Sequence, residues 1–389
     1  MKVLHAIVCI LLSVSACYSG GAPTEPEEIP TEQAEEILTE KHSIVDLALI
    51  YGGGAHRDVV WNKKHFAPYV TYTDRTNKEH WLFDGFLLLD FIDGKGKIFA
   101  TGYYGTPATQ NEWTALADYF FTSGQSVDAL NKCIAEKIQT LGAPSHKRKI
   151  IIALPEPIVA GPYSHYQNTP ADYWGRVDDR EFNFTVPDDR TAACKWYIDY
   201  VKAKFDKGKF DHLELAGFYW IAEESLHTQS ILRAVGQYLD ETGHSFNWIP
   251  YWKEQPDYLN WKELGFHRAY LQPNYFFNDQ VPYSRLEEAC KLADQYELDL
   301  ELEFDLSVFV NNGNRSARLY DYMKAFRQSG VLPRKRIAYY QDCDALYQLY
   351  RASGEKEKEI FHDFCTFVVE HQRMLSPFYD AEAGEGTGI

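Results

Sequence analysis

A regular alternation of strand-like and helix-like segments is the feature that most constrains the fold of this chain. Eight strand-like segments recur between residues 44 and 342, and a helix-like stretch follows most of them. Eight strand–helix repeats over such a length are typical of a (β/α)8 barrel, which normally takes roughly 250 residues. The sequence therefore predicts an α/β fold with a single TIM-like barrel. The predicted strands are residues 44–51, 84–92, 149–154, 213–221, 246–251, 268–271, 298–305 and 336–340.

The connections between these strands are predicted to be mostly helical. Residues 97–104 follow a turn and suggest an extra hairpin, while residues 158–187 look irregular and rich in Tyr, Pro and Asp. A loop of that length in a compact domain is more often functional than idle. The predicted helices are residues 112–121, 126–141, 189–206, 228–242, 258–264, 283–296, 316–328 and 355–374.

The amino terminus has the features of a secretion signal. Lys2 precedes an apolar run over residues 3–14, which Ser15, Ala16 and Cys17 follow. This pattern predicts a signal peptide over 1–16 and a bacterial lipoprotein in which Cys17 is lipidated and holds the protein on a membrane. The alternative is an ordinary secretory signal that happens to contain Cys.

Residues 17–41 are predicted to form a flexible acidic tether, because seven Glu and three Pro between 22 and 41 leave little apolar surface to bury. The barrel domain is then expected over 42–375, with a disordered tail over 376–389.

Bulk charge and cysteine spacing exclude several classes of partner. The net charge of −17 argues against nucleic acid, whose binders need clustered Lys and Arg. Beyond the predicted signal and Cys17, five cysteines remain without CxxC spacing, so we expect neither a disulfide framework nor a zinc site. We expect no cofactor and no metal. These cysteines are Cys133, Cys194, Cys290, Cys343 and Cys365.

The seventh predicted strand carries the sharpest chemical signal. Residues 298–306 alternate between apolar and acidic side chains. Because strand side chains alternate between faces and the helix-facing side of a barrel must be apolar, the acids should point into the lumen. The alternative is an amphipathic strand at a sheet edge with its acids in water. The acids are Asp299, Glu301, Glu303 and Asp305.

A second acidic pair follows the fourth strand. Glu223 and Glu224 come directly after its apolar end. Glycosidic bond cleavage needs two acids, one to protonate the leaving oxygen and one to attack the anomeric carbon or activate water. We expect Glu223 as acid/base, with Glu224 as alternate, and Glu303 as nucleophile, with Asp305 as alternate. The alternative role for the first pair is a favourable charge at a helix amino terminus.

Other strand ends offer groups that could bind a carbohydrate. Polar side chains suit hydrogen bonds to sugar hydroxyls, and aromatic rings suit stacking. The leading prediction is a hydrolase of a polysaccharide or oligosaccharide; the alternatives are a glycan-binding lipoprotein without catalysis and a structural partner in an outer-membrane complex. The predicted polar groups are Asp90, Glu156, Gln272, Asn274 and Gln341, and the predicted aromatic groups are Trp220, Tyr251, Trp252 and Tyr275.

Four segments also carry a resemblance to a known family. They are Trp81-Leu82-Phe83-Asp84-Gly85-Phe86, Gly217-Phe218-Tyr219-Trp220 with Glu223, Ile249-Pro250-Tyr251, and Gln272-Pro273-Asn274-Tyr275. In order and spacing they resemble the domain-of-unknown-function family numbered 4855, common in lipoproteins of gut Bacteroides and their relatives. The resemblance covers roughly residues 45–370 and implies a barrel-like domain among glycan-utilisation proteins, without an established reaction.

The expected location is the bacterial cell envelope, with a lipid anchor in the outer membrane. Many surface-exported lipoproteins of that group carry acidic residues directly after the lipidated Cys. Here Tyr18-Ser19-Gly20-Gly21 follows instead, and the first Glu is Glu25. Both the outer surface and the periplasmic face therefore stay open.

Overall fold

A computed structural model of the chain describes residues 43–52, 59–159, 173–252 and 257–384, with side chains to residue 374. The predicted signal peptide, Cys17 and the tether lie outside these residues. Within the described ranges, no helix is both long enough and apolar enough to span a bilayer.

Eight parallel strands form a closed barrel, which confirms the predicted fold. All eight predicted strands are present, and closure is made by the pairing of β1 with β8, in which Asp46 lies opposite Ile337. Each strand pairs with its neighbours in chain order. The strands are β1 (Asp46–Tyr51), β2 (Gly85–Leu89), β3 (Arg148–Leu154), β4 (Leu213–Trp220), β5 (Ser245–Trp248), β6 (Arg268–Leu271), β7 (Asp299–Glu303) and β8 (Ile337–Tyr340).

Helices surround the barrel and cover its outer face. They are α1 (Lys63–Val70), α2 (Gln110–Phe120), α3 (Ser126–Leu141), α4 (Pro187–Gly208), α5 (Gln229–Thr242), α6 (Ser284–Gln295), α7 (Ser316–Gln328), α8 (Ala345–Arg351) and α9 (Glu355–Gly384), with 3-10 turns at Tyr258–Asn260 and Leu306–Val308.

Several helix predictions differ from the structure. Neither α1 nor α8 was expected. Pro68 inside α1 masks the helical pattern, because proline usually interrupts a helix, although Asn62 caps its start by accepting hydrogen bonds from two backbone N–H groups. The segment 258–264 forms only a short 3-10 turn. The last helix continues through Gly384, into residues for which the sequence predicted a disordered tail.

Among the described residues, three small two-stranded sheets lie outside the barrel. One of them occupies part of the segment that looked irregular in sequence, where buried Trp174 on the first strand stacks on Phe182 of the second. The predicted hairpin over 97–104 is reduced to an antiparallel bridge between Ile92 and Ile98, while Lys97–Ile98 also pairs in parallel with Thr106–Pro107. The pairs are Thr71–Thr73 with Glu79–Trp81, Lys97–Ile98 with Thr106–Pro107, and Tyr173–Val177 with Arg180–Asn183.

The fourth strand contains an irregularity that determines which side chains face the lumen. Against β3, the register of β4 shifts between Leu215 and Gly217, as it does at a β-bulge. An extra residue at this point reverses the face of every side chain that follows it. The end of β4 therefore faces the lumen through Tyr219.

A buried ion pair joins α9 to the amino-terminal end of the barrel. His371 Nδ1 lies 2.7 Å from Asp46 Oδ1, and Nε2 lies 3.0 Å from the carbonyl oxygen of Lys335. Because both partners accept, both ring nitrogens donate and the ring is an imidazolium. Burial alone would lower the pKa of His371, but the Asp46 carboxylate and the two hydrogen bonds raise it above its usual value. Tyr339 donates a further hydrogen bond to Asp46 Oδ1, at 2.7 Å.

Replacing His371 with Gln should lower the free energy of unfolding by about 3–5 kcal/mol, because it leaves the Asp46 carboxylate buried without its cation. Urea unfolding below pH 6.5, the ordinary pKa of histidine, measures the full effect. Since the folded pKa is raised, the stabilisation disappears as the pH rises through that folded value, so the gap between wild type and variant should narrow in alkali. Glu359→Gln, at an exposed site on the same helix, is the control. An equal gap at low and high pH would contradict a charged His371.

Candidate functional site

A cleft of about 330 Å³ opens at the carboxyl ends of the barrel strands. Its described lining is acidic, amide and aromatic. It consists of the carboxylates Glu223, Glu301 and Glu303, the amides Gln272 and Asn274, the aromatic residues Tyr51, Phe91, Tyr103, Tyr219, Tyr251, Phe277 and Tyr340, and the aliphatic residues Leu49 and Ile249. In barrels of this class, this end of the sheet carries the chemistry.

The two acids of β7 reach the cleft because they share the lumen face of one strand. Glu301 and Glu303 are two residues apart, and each is only 1% exposed. Leu300 and Leu302 alternate with them and are fully buried on the opposite face. The lumen placement predicted from the sequence thus holds for these two acids.

Glu303 is held by three hydrogen-bond donors. The hydroxyl of Tyr322, on α7, donates to Oε2, and the backbone N–H groups of Asn274 and Tyr275 also point at the carboxylate. The pKa of Glu303 is raised to about 7: burial is the largest cause and the charge of Glu223 adds to it, while these donors oppose the rise. The donors favour the ionised form of this buried acid.

Glu223 faces Glu303 from the loop after β4 and has fewer partners. Gln272 donates from Nε2 to Glu223 Oε1 at 3.3 Å, and the same amide is fixed by a 3.0 Å hydrogen bond to the carbonyl of Ile249. Burial raises the pKa of Glu223; the Gln272 hydrogen bond opposes that rise and the neighbouring Glu224 adds to it. Glu223 therefore has a single weak donor within the described ranges.

Glu301 is a third cleft carboxyl. The sequence predicted only that it faces the lumen with the other acids of β7. Its Oε1 atom is buried and has no hydrogen-bond partner within the described ranges. Burial raises the pKa of Glu301 well above its ordinary value, and the charges of Glu303 and Glu223 raise it further. The alternating pattern of β7 was the signal that could have singled it out.

Aromatic rings form much of the cleft wall, and the sequence missed most of them. Tyr51 packs edge-on against Tyr340 with ring centroids 5.6 Å apart, and Phe277 does the same at 5.7 Å. Phe91 stacks on Tyr103 at 4.7 Å. Tyr51 and Tyr340 end adjacent strands on the lumen face, which strand periodicity could have indicated. Tyr103 and Phe277 come from loops, where no periodic signal exists.

Five predicted site residues line the cleft, and four predicted ligand-binding residues lie outside its lining. Glu223, Tyr251, Gln272, Asn274 and Glu303 meet there. The other four contribute to packing or to protein hydrogen bonds.

Two of these four residues are buried in the interior. Trp220 is fully buried on the outer face against Phe246. Gln341 is buried and hydrogen-bonded to Tyr69, Leu49, Cys343 and Leu346. The other two lie beneath arginines: Tyr275, which also donates to Asp321, is 3.6 Å from the Arg318 guanidinium, and Trp252 is 4.5 Å from that of Arg285.

The remaining predicted acids are also outside the cleft lining. Asp305 caps the 3-10 turn after β7 by accepting from the backbone N–H of Ser307 at 2.7 Å and is not among the described lining residues of the cleft. Glu224 accepts from the Tyr251 hydroxyl beside the cleft. Asp90 accepts from the Phe91 backbone at 2.8 Å, and Glu156 accepts from the Thr101 backbone at 2.7 Å. These acids fix loops around the site.

Comparison with family models identifies the chain. The model described as "Domain of unknown function (DUF4855)" matches residues 46–366, which is most of the barrel domain. The chain belongs to the DUF4855 family. The resemblance seen in the sequence is therefore confirmed. The match shows the family but no reaction.

Comparison with solved structures finds distant similarity, while comparison with curated proteins gives no match. A mutant tryptophan synthase alpha-subunit from Pyrococcus furiosus is 9% identical, with a TM-score of 0.36 over 84% of this chain and 98% of that one. The tryptophan synthase complex from the same organism is 9% identical, with a TM-score of 0.35 over 84% and 98%.

Neither metal binding nor disulfide bonding is evident in the part of the chain that the structure describes. No group of three or more His, Cys, Asp or Glu side chains there is placed to hold a metal ion. None of the five described cysteines is in a disulfide bond: Cys133, Cys194, Cys290 and Cys365 are buried, and Cys343 is half-buried.

The cleft acids should make the folded protein less stable as the pH rises from 4.5, the ordinary pKa of glutamate, toward 7. Over this range the folded state keeps a proton on Glu303 that the unfolded chain releases, so unfolding is favoured as the pH rises. Glu303→Gln should flatten the pH dependence of the free energy of unfolding, measured by urea titration between pH 5 and 7. The exposed Glu241→Gln should leave it unchanged. Parallel pH curves for wild type and Glu303→Gln would contradict a raised pKa.

Proposed function

We propose that this domain is a glycoside hydrolase whose reacting groups are Glu223 and Glu303. The observation that supports this most directly is electrostatic: the two carboxyls share one cleft at the catalytic end of a barrel, and Glu223 raises the pKa of Glu303. Glycosidic cleavage requires two carboxyls, one that gives a proton to the leaving oxygen and one that attacks the anomeric carbon or activates water.

The surroundings of the two acids assign their roles. Three donors stabilise ionised Glu303, which suits a nucleophile, whereas Glu223 has only Gln272 and suits a proton donor. In a retaining reaction, Glu303 attacks the anomeric carbon while Glu223 protonates the leaving oxygen. Water then replaces Glu303 after giving a proton to Glu223. In an inverting reaction, ionised Glu303 takes the proton of the attacking water instead.

The rest of the cleft supports a carbohydrate substrate. Aromatic rings of the wall offer flat apolar surfaces for sugar rings, and Gln272 and Asn274 offer amide groups for hydroxyls. A lipid anchor at Cys17 would hold the enzyme at the bacterial cell envelope, where extracellular glycans arrive; this location is part of the proposal.

A second candidate function is glycan binding without catalysis. The burial of the acids favours it, because Glu303, at 1% exposure, presents little surface for attack on a sugar. In that case the cleft would hold a glycan end against its aromatic wall. Turnover is the measurement that separates the two functions.

Glu223→Gln and Glu303→Gln should each lower kcat by about 10²–10⁴, because each amide removes a proton transfer or an attacking oxygen. A panel of glycans incubated with the purified full chain and analysed by mass spectrometry detects cleavage. Asp305→Asn is the control, since Asp305 caps a turn outside the cleft and should keep kcat within about twofold. Binding without cleavage, unchanged by the two Glu variants, would remove the hydrolase proposal.

Tyr322→Phe should shift the acidic limb of the kcat/KM profile to higher pH. The Tyr322 hydrogen bond lowers the pKa of Glu303, so its loss raises that pKa and delays ionisation of the nucleophile as the pH increases. Tyr320→Phe on the same helix removes a hydrogen bond to Asp363, away from the cleft, and should leave the limb in place. An identical shift in both variants would show that the effect is general to the helix.

A further inference from the structure

The lining of the cleft combines carboxyl groups with aromatic rings, a pairing suited to organic cations. We propose that the cleft takes an amino sugar with a free amine, whose ammonium group contacts Glu301. This inference rests on the proposed function for its choice of a sugar, but the preference for a cation concerns binding and can be tested without turnover.

The first observation is that Glu301 lacks a partner suited to its burial. It is 1% exposed, it lines the cleft, and its Oε1 atom has no hydrogen-bond partner within the described ranges. A buried carboxylate without a compensating donor is costly to ionise. An ammonium group placed in the cleft supplies both the missing hydrogen bond and the opposite charge.

The second observation is that the described cleft contains no competing cation. Glu223 and Glu303 both raise the pKa of Glu301, and Glu223 also raises that of Glu303, yet none of the described lining side chains is Lys, Arg or His. The described lining therefore offers these acids no counterion. An ammonium group on a ligand would supply positive charge there.

The third observation is the aromatic wall. The electron-rich faces of aromatic rings attract cations, and rings of this kind line the sites that recognise alkylammonium groups. Tyr51, Tyr103, Tyr219 and Tyr340 lie in the same lining as Glu301. Burial raises the pKa of Tyr219, and the charges of Glu223 and Glu301 raise it further, so the Tyr219 hydroxyl lies near Glu301. An ammonium beside Glu301 would therefore meet ring faces as well.

The same features disfavour other sugars. A uronate or a sulfated sugar would bring negative charge beside three acids with no described cation to offset it. A neutral or N-acetylated sugar lacks the charge that would make ionisation of Glu301 favourable. The predicted substrate class is a glycan of hexosamines whose amines are not acetylated.

Calorimetric titration of the full chain tests this preference with two matched sets of sugars. One set is the β-1,4-linked tetramers of glucosamine, N-acetylglucosamine and glucose; the other is galactosamine, N-acetylgalactosamine and galactose. In at least one set the free amine should bind about tenfold more tightly than its acetylated and neutral counterparts. Its affinity should fall as the pH is lowered through 7 toward 4.5, because the raised pKa values of the cleft acids favour their protonated forms over that range.

Glu301→Gln separates this site from general acidity. The variant keeps the shape of the side chain and cannot ionise, so it should fold with unchanged thermal stability or better. It should reduce the preference for the amine to about twofold or less, while exposed Glu241→Gln, which removes the same charge from the surface, should keep it. Equal binding of all three sugars in both sets, no binding of any amine, or a preference that survives in Glu301→Gln would each overturn the inference.

Cleavage is scored in the same samples, so that the two proposals fail separately. A preference for the amine without cleavage would end the hydrolase proposal and leave the cation site intact. Cleavage of neutral or N-acetylated glycans without that preference would end the cation site and leave the hydrolase.

Discussion

Pairing of β1 with β8 closes the sheet, and the site depends on that closure. In an open sheet, the acidic face of β7 could lie against water. In a closed barrel the same face is enclosed, so its acids must be paired, hydrogen-bonded or protonated. Closure also places Tyr51 beside Tyr340, which begins the aromatic wall of the cleft. One topological fact thus produces both components of the site.

The acids of β7 differ in their hydrogen-bond partners along the strand. Asp299, at the bottom, accepts from the backbone of Arg336 at 2.9 Å and lies 3.7 Å from its guanidinium. Glu303, at the top, has three donors, whereas Glu301 between them has an oxygen without a partner in the described part of the chain. Protein donors therefore stabilise the acids at the two ends of β7, whereas Glu301 in the middle is only weakly stabilised. A donor group on a ligand would supply the hydrogen bond that Glu301 lacks within the described ranges.

The two ends of the barrel divide stability from chemistry. At the amino-terminal end, the buried His371–Asp46 pair fastens α9 to β1, and its charges are matched. At the carboxyl end, three acids face one another with raised pKa values and no described counterion in the lining. A protein can keep such an unfavourable cluster because the rest of the domain supplies the free energy of folding. Strained electrostatics at one end of a stable barrel is typical of a functional site.

The sequence by itself determined the eight strands, most of the helices and the lumen face of β7, because periodicity of apolar residues reports which side of an element is buried. It also placed Glu223 and Gln272 at strand ends that meet. Tertiary structure decided the rest. A register shift in β4 turned Tyr219 rather than Trp220 into the lumen, which no count along the chain reveals. Gln341 is fully bonded to backbone and side-chain groups from distant segments. Local pattern fixes the face of a residue, whereas only the packed fold fixes its partners, and partners decide whether a polar group is free to act.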